Sequence, residues 1–370
     1  PLPQSTYKEE PNVTKLKEHK PSKIEALKAM TPADRRRAIF DGIMNNAMFI
    51  IIALVIIYVA IKNPIFLSIP SLVNIISLTA AKLPIALGVG GCIILAGTDI
   101  SAGRQVGLAA CISAGLQLTT NKLFPGLQIL PIPVVLLCVL VACAMVGFVN
   151  GFFMAKFKLH PFIVTLSTQL IVYGLVLLFM QLGTNGGQTL SGMSEGYRNF
   201  IIKPLFTLKT SSGPVTVPRY VLYSTIITAI VWVIWNKTAF GKNMYAVGSN
   251  EEAANVSGVN VSKTIILVFV MAGMLYGITG FMDAARIASV NATTGLNYEA
   301  DAIAACVIGG ISFVGGIGKV SGAIIGVLLL QIIFAGLNFL SVDANYLYIV
   351  KGLIILIACS IDMRKYLVRK

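Results

Sequence analysis

The nearest approach to a chemical motif in the chain is the run Gly315-Gly316-Ile317-Gly318-Lys319-Val320. A phosphate-cradling loop needs backbone N–H groups brought close by glycines, a Lys beside them, and a Ser or Thr for magnesium. Here Phe313 stands where the first Gly belongs and Val320 where the hydroxyl belongs, so the run is not an ATP-binding loop. Other reactive groups are as sparse. His19 and His160 stand in a polar tail and a short basic loop, and all six cysteines lie inside apolar runs without a C-x-x-C pair. Neither a zinc site nor a disulfide framework is supported. Asp99, Asp283, Glu299, Asp301 and Asp343 lie close to the ends of apolar runs, whereas a proton-driven carrier more often places carboxylates along its spans. The expectation is a chain with no catalytic residue, no metal ligand and no cofactor of its own.

Two polar stretches remain. The first is the turn from Gly97 to Gln105, which carries Asp99, Ser101, Arg104 and Gln105 between two apolar runs. Irregular backbone at membrane depth survives only where protein or water covers it. The turn therefore reads as a translocation-path or gating element, or as an Asp99–Arg104 ion pair pinning two helix ends. Gln169 and Asn338, with Lys82, Gln181 and Gln331, interrupt or adjoin other apolar runs; each contacts a hydroxylated solute or bonds a neighbouring helix. The candidate pathway set is Asp99, Ser101, Arg104, Gln105, Gln169 and Asn338.

The second stretch is the polar island Ala239–Ser262. Ser249 and Glu252 have the spacing of a capping box, Glu251 and Glu252 suit the positive end of a helix dipole, and Gly258 suits the left-handed residue that ends a helix. The spacing predicts one helix over Asn250–Ser257, roughly 12 Å long. So short a helix is unstable alone and must dock. The candidate docking residues are Asn250, Ala253, Ala254, Val256 and Ser257, flanked by Glu251 and Asn255, with Ser249 and Glu252 as caps.

What must position these stretches is a membrane bundle. Of 370 residues, 56% are hydrophobic and only 12% charged, where ordinary globular chains carry about 25% charged. Apolar runs of spanning length recur near 43–61, 72–96, 104–120, 132–154, 161–181, 219–235, 263–282, 298–312, 319–340 and 345–361. The fold class is an all-α polytopic transmembrane bundle of about ten spans. The domains are a basic tail 1–42, a membrane-spanning body 43–362 and a short tail 363–370. Loop 183–218 is read as a surface for an external partner or a solvated flap. The early tail has no signal-peptide pattern; Ile24, Leu27 and Ala38 to Phe40 allow an amphipathic surface helix, and a disordered tail fits equally.

The charge of +14 is distributed by side rather than gathered for nucleic acid. With ten spans, the tails, loop 155–160 and the island loop through Lys263 share one side and hold 18 Lys or Arg, against seven opposite. The positive-inside rule places both termini and the island in the cytoplasm. Small residues four apart, such as Gly103-Gly107, Gly147-Gly151, Gly273-Gly277 and Gly318-Gly322-Gly326, predict close helix packing. Aligned at an offset of 213, the turns after Gly97 and Gly310 share four identities. That suggests duplication, yet an inverted repeat would put them on opposite sides while the span count puts them on one.

Three function classes fit: a transport subunit driven by a separate ATPase, a self-contained carrier or channel, and an intramembrane enzyme. The first explains both the capped island helix and the missing phosphate loop. The runs from Trp235 to Lys263, Tyr298 to Gly326 and Ala96 to Ala110 resemble the permeases of bacterial sugar ABC importers, closest to the galactose/methyl-galactoside branch, alongside ribose permeases. The resemblance covers roughly 43–362 and leaves out most of the basic tail. It implies a non-enzymatic subunit of the bacterial inner membrane, paired with a second permease copy. It implies ATPase subunits that bind ATP and magnesium on the cytoplasmic face, and a periplasmic or lipid-anchored sugar-binding protein outside. Pentose or nucleoside import, and an ion-coupled sugar carrier, are the alternatives.

Overall fold

In hydrocarbon a segment must close its backbone hydrogen bonds within itself, so apolar runs fold as helices. The computed structural model describes residues 31, 34, 36, 47–183, 185–210 and 213–367. The surface helix expected around Ile24 and Leu27, and most of the 1–42 tail, lie outside the described residues. Residues Pro1–Ala47 and Met48–Lys370 form two units, and the membrane bundle belongs to the second.

The elements are α1 (Ala47–Lys62), α2 (Ile69–Ile94), α3 (Ala102–Gln117), α4 (Ile132–Phe157), α5 (Pro161–Met180), β1 (Leu190–Ser191), α6 (Glu195–Ile202), β2 (Pro204–Thr210), β3 (Gly213–Pro218), α7 (Arg219–Lys237), α8 (Ala239–Ser249), α9 (Glu251–Val256), α10 (Val261–Ile287), β4 (Ser289–Val290), α11 (Tyr298–Ile308), α12 (Val320–Phe339) and α13 (Ala344–Leu367). Six of them, α2, α4, α5, α7, α10 and α12, are long and apolar enough to cross a membrane. That is fewer than the ten spans expected. In particular, α11 has 11 residues, about 16 Å at 1.5 Å per residue, and cannot cross alone. The last helix continues to Leu367, past the boundary expected at 362.

An inverted repeat organises the bundle. The series α1–α5 matches α7, α10, α11, α12 and α13: a helix, a long central helix, a non-helical break, a short helix, and two more helices. The packings match as well. Helix α2 packs on α11 and α12, as α10 packs on α3 and α4; α3 packs on α4 and α5, as α11 packs on α12 and α13. The two central helices run oppositely, because α2 ends and α10 begins at the end that carries α8 and α9. The breaks related by the repeat are therefore 95–101 and 288–297, not the pair aligned at offset 213. A structural likeness exists one residue out of that register, at an offset of 214. Helices α2 and α11 end in the same turn, with Ala96 (φ 59°) and Gly310 (φ 82°) left-handed. The amides of Gly97 and Ile311 bond back to Cys92 and Cys306, the pattern of a Schellman motif.

The glycine spacings work as expected. A Cβ on Gly147 or Gly273 would strike a carbonyl oxygen of the facing helix, at Phe269 or Cys143, and one on Gly151 would meet the Ile266 Cα. Helices α4 and α10 thus touch backbone to backbone. Loop 183–218 is tied to the bundle over 190–201, while the strand β2 is exposed along most of its length. Ser194 caps α6 by accepting from the Tyr197 amide at 3.3 Å and donates to Gln117 Oε1 at 2.5 Å. Tyr197 is fully buried and its hydroxyl donates to the Phe281 carbonyl, while β1 pairs antiparallel with β4.

Filling the α4–α10 contact tests this packing. Gly151→Leu lowers the apparent Tm in detergent by an amount matching an overpacked core, about 1–3 kcal/mol. Gly174→Leu, where a new Cβ meets nothing within 4 Å, leaves it unchanged. Equal melting of the two variants would show that close approach is not limiting.

Candidate functional site

Two regions gather the candidate residues. The first is the island, which forms two helices rather than one. Thr238 caps α8 through its Oγ1, 3.2 Å from the Gly241 amide. Ser249 is the last residue of α8, so its backbone is helical and it does not cap α9. The cap is Asn250, extended at φ −163° and ψ 111°, whose Oδ1 accepts from the Ala253 amide at 2.8 Å. Asn is as strong an N-cap as Ser, and Asn250 is the residue that breaks the helix between the two elements. Gly258 is left-handed at φ 83°. Its amide bonds to Asn255 and that of Val259 to Ala254, both at 3.0 Å, so α9 ends as its sequence predicts.

Helix α9 is held rigidly though it has six residues. Ala254 is buried at 4% exposure and belongs to the core, which removes it from the expected docking face. Lys158 at the end of α4 pairs with Glu251. Glu252, Ala253, Asn255, Val256 and Ser257 are exposed, Val256 to 89%. Beside them opens a groove of about 980 Å³ lined by Lys158, Asn250, Glu251, Glu252, Asn255 and Asn260, among others.

The island is seated on the ends of the central helices. The Gly316 amide donates to the Ile94 carbonyl at 2.7 Å, and a Cβ on Gly248 would strike that same oxygen. Tyr245 donates to the Gly318 carbonyl at 3.0 Å and meets Trp235 edge-on. Burial pushes the Tyr245 hydroxyl above its ordinary pKa, so it stays a neutral donor. Ser312 and the Phe313 amide bond to Asp362 on α13. The glycine run that failed as a phosphate loop is thus a seat for α8.

The second region is the break 95–101. Asp99 Oδ1 accepts from the Ser101 amide at 2.9 Å and from its Oγ at 2.6 Å. Ser101 Oγ accepts in turn from Gln105 Nε2 at 2.9 Å and Asn150 Nδ2 at 3.1 Å. Thr168 donates to Asn150 Oδ1 at 2.8 Å. Asp99, Ser101 and Gln105 are all fully buried, so they stitch α3, α4 and α5 together and do not line an open path. Arg104 is not paired with Asp99. Its guanidinium donates to the Ala292 carbonyl at 3.2 Å and lies 4.2 Å from the centre of the Tyr173 ring. Gln169 is half-buried on α5, and Asn338 is exposed at the end of α12. The candidate set therefore does not form one site.

The carboxylates near the run ends, which sequence alone allows as an external mouth or as interfacial anchors and caps, gather into a second polar group. Asp283 is fully buried and accepts from Arg286 Nε at 2.8 Å, with Lys82 Nζ 3.9 Å away. Lys82 sits on the Tyr298 ring, and Lys351 pairs with Asp301 at 2.9 Å. Lys82 and Lys351, charged residues inside apolar helices, are the signal that identifies this group. Among the described residues no three His, Cys, Asp or Glu gather as for a metal.

Two inverted series of helices with non-helical breaks, and a capped short helix at one end, form a helical membrane bundle. The chain belongs to the family described as branched-chain amino acid transport system permease components, whose model matches residues 71–359. It is 41% identical to a galactose/methyl galactoside import permease of Haemophilus influenzae over 90% of this chain and 97% of that protein. The Escherichia coli counterpart is 38% identical over 90% and 98%. A ribose import permease of Bacillus subtilis is 34% identical over 90% and 97%. No solved structure matches. The chain is an integral membrane protein.

The Ser101 hub gives a direct test. Ser101→Ala leaves Asp99, Gln105 and Asn150 short of partners in a buried site, each costing on the order of 1–3 kcal/mol, and lowers the apparent Tm more than Asp99→Asn, which keeps an acceptor at the same place. The reverse order would show that the carboxylate charge holds the break.

Proposed function

We propose that this chain is the membrane-spanning subunit of an ATP-driven importer for galactose and methyl galactosides. The observation that carries the substrate is the set of galactose/methyl galactoside permeases, 38–41% identical over most of the chain, against 32–34% for the ribose permeases. The chain performs no chemistry on the sugar. ATP and magnesium bind to separate ATPase subunits, a periplasmic or lipid-anchored sugar-binding protein delivers the sugar, and a second copy of the permease completes the path. The body is residues 43–362, with the 236–262 island and both termini in the cytoplasm, where the bias of basic residues favours them.

Coupling runs through α9. Its caps, its buried Ala254 and the Lys158–Glu251 pair support a rigid lever, and Ala253, Asn255, Val256 and Ser257 form the face offered to the ATPase. Asn250, Glu251, Glu252 and Gly258 hold its shape, and Ser249 joins it to α8. When ATP closes the ATPase dimer, displacement of α9 passes through α8 to Ile94 and Gly316. The work comes from the different contacts the ATPase makes in its two states.

Proteoliposomes containing the permease, its ATPase and its binding protein test the reading. The wild type imports galactose. Ala253→Trp or Val256→Trp lowers import at least about tenfold, the 1.4 kcal/mol scale of one lost contact, while insertion into the membrane is unchanged. Full import by both variants removes α9 as the coupling element.

A further inference from the structure

The charges that remain partly accessible within the bundle lie close together. Arg104 and Tyr173 stack where α3 meets α5. A Cβ on Gly103 would strike Glu299 Oε2, which places that carboxylate beside Arg104. Tyr298 and Asp301 occupy the same first turn of α11, and Asp301 pairs with Lys351 of α13. Each of these six residues is half-buried, with side-chain exposures of 14% and 22% for Asp301 and Lys351. A charge facing lipid near a helix centre costs about 2.5–3.5 kcal/mol even on the mildest scale. Several on one face are stable only if that face borders water or protein.

Resting on the function proposed above, we propose that Arg104, Tyr173, Tyr298, Glu299, Asp301 and Lys351 form the site where a neutral, hydroxyl-rich solute is held during passage. Two features select that solute. Lys82 and Arg286 are engaged by the buried Asp283, and among the charges left two cations stand against two carboxylates, so the belt holds no large excess of either sign. A branched-chain amino acid would instead need an apolar pocket beside separated sites for its carboxylate and ammonium. Carboxylates and a guanidinium are strong hydrogen-bond partners for sugar hydroxyls, and the two tyrosine rings offer apolar faces to a sugar's C–H face.

In this conformation the site is shut. The cavity among Lys82, Tyr298, Asp301 and Gln331 holds about 10 Å³, room for about one water and far below the roughly 300–1,000 Å³ of ligand pockets. Opening requires α11 to part from α2 and α13. The Asp301–Lys351 pair closes that seam, so sugar hydroxyls replace one partner of each as it opens.

The test uses the complete transporter in proteoliposomes, with Glu299→Gln and Asp301→Asn. Import is measured for galactose, for its 2-deoxy and 6-deoxy analogues, and for ribose, alongside ATP hydrolysis stimulated by the binding protein. Galactose import falls at least tenfold in each variant while hydrolysis stays within twofold. For at least one deoxy analogue the difference between wild type and variant disappears, because the hydroxyl that the carboxylate bonds is already missing. Equal loss for every sugar, loss of hydrolysis with import, or no loss at all overturns the site while leaving galactose import by the wild type intact. A wild-type transporter that imports none of these sugars overturns the functional reading first, and this site with it.

Discussion

The structure depends on bringing two interrupted helices together in a medium that cannot solvate an exposed peptide group. Segment 95–101, largely buried, and segment 288–297, which exposes Asn291, Thr293 and Leu296, both satisfy much of their backbone from protein. The first does so through Asp99 and Ser101, with Thr165 donating to the Thr98 carbonyl at 3.3 Å. The second does so through Asn291, whose Oδ1 accepts from the Thr293 amide at 3.0 Å, while its own amide donates to Thr294 Oγ1. The first turns of α3, which follow the first break, meet the second break where nothing larger than glycine fits: Gly103 against Gly295, and Gly107 against the Thr294 carbonyl. Because Arg104 also bonds back to Ala292, the second break is one wall of the site where α3 begins.

This explains what the sequence made legible. Hydropathy and length located the helices α2, α4, α5, α7, α10 and α12 within a few residues, because lipid enforces both. The four-residue glycine spacings correctly marked close packing for the same reason. The caps were half legible: Gly258 stands where a left-handed residue is needed, but Ser249 is consumed by α8, whose residues Ala239–Ser249 look polar only because one face meets water. The repeat was not legible at offset 213: its four identities fall one residue out of register with the like turns at Ala96 and Gly310, which end helices that the symmetry does not relate. Inverted relatives need share only packing, so the α3–α10 and α2–α11 contacts reveal it and residue identities do not.

The candidate site divides in the same way. Asp99, Ser101 and Gln105 drew attention as polar residues in an apolar setting, and they serve to close a backbone. Tyr173, Glu299 and Lys351 drew less, because what distinguishes them is their shared access, a three-dimensional property. At the other end of the molecule, the island gathers contacts from Ile94, Gly316 and Gly318, so α8, the end of α2 and the start of α12 are one mechanical piece. A lever is useful only when what it pushes does not yield, and backbone-to-backbone contacts at glycines yield least.

The pairing of Leu190–Ser191 with Ser289–Val290 has a bearing on how the chain is made. Ribosomes deliver the first five helices well before the strand that ties them, and before α10, which covers the break after α2. Until α10 arrives, segment 95–101 is held by Gln105, Asn150 and Thr165 of the first half and is open where Phe269 of α10 later packs against Gly97. The first half adopts its final form only once the second half is threaded beside it. Biogenesis, rather than stability alone, then sets a deadline for each half to find the other.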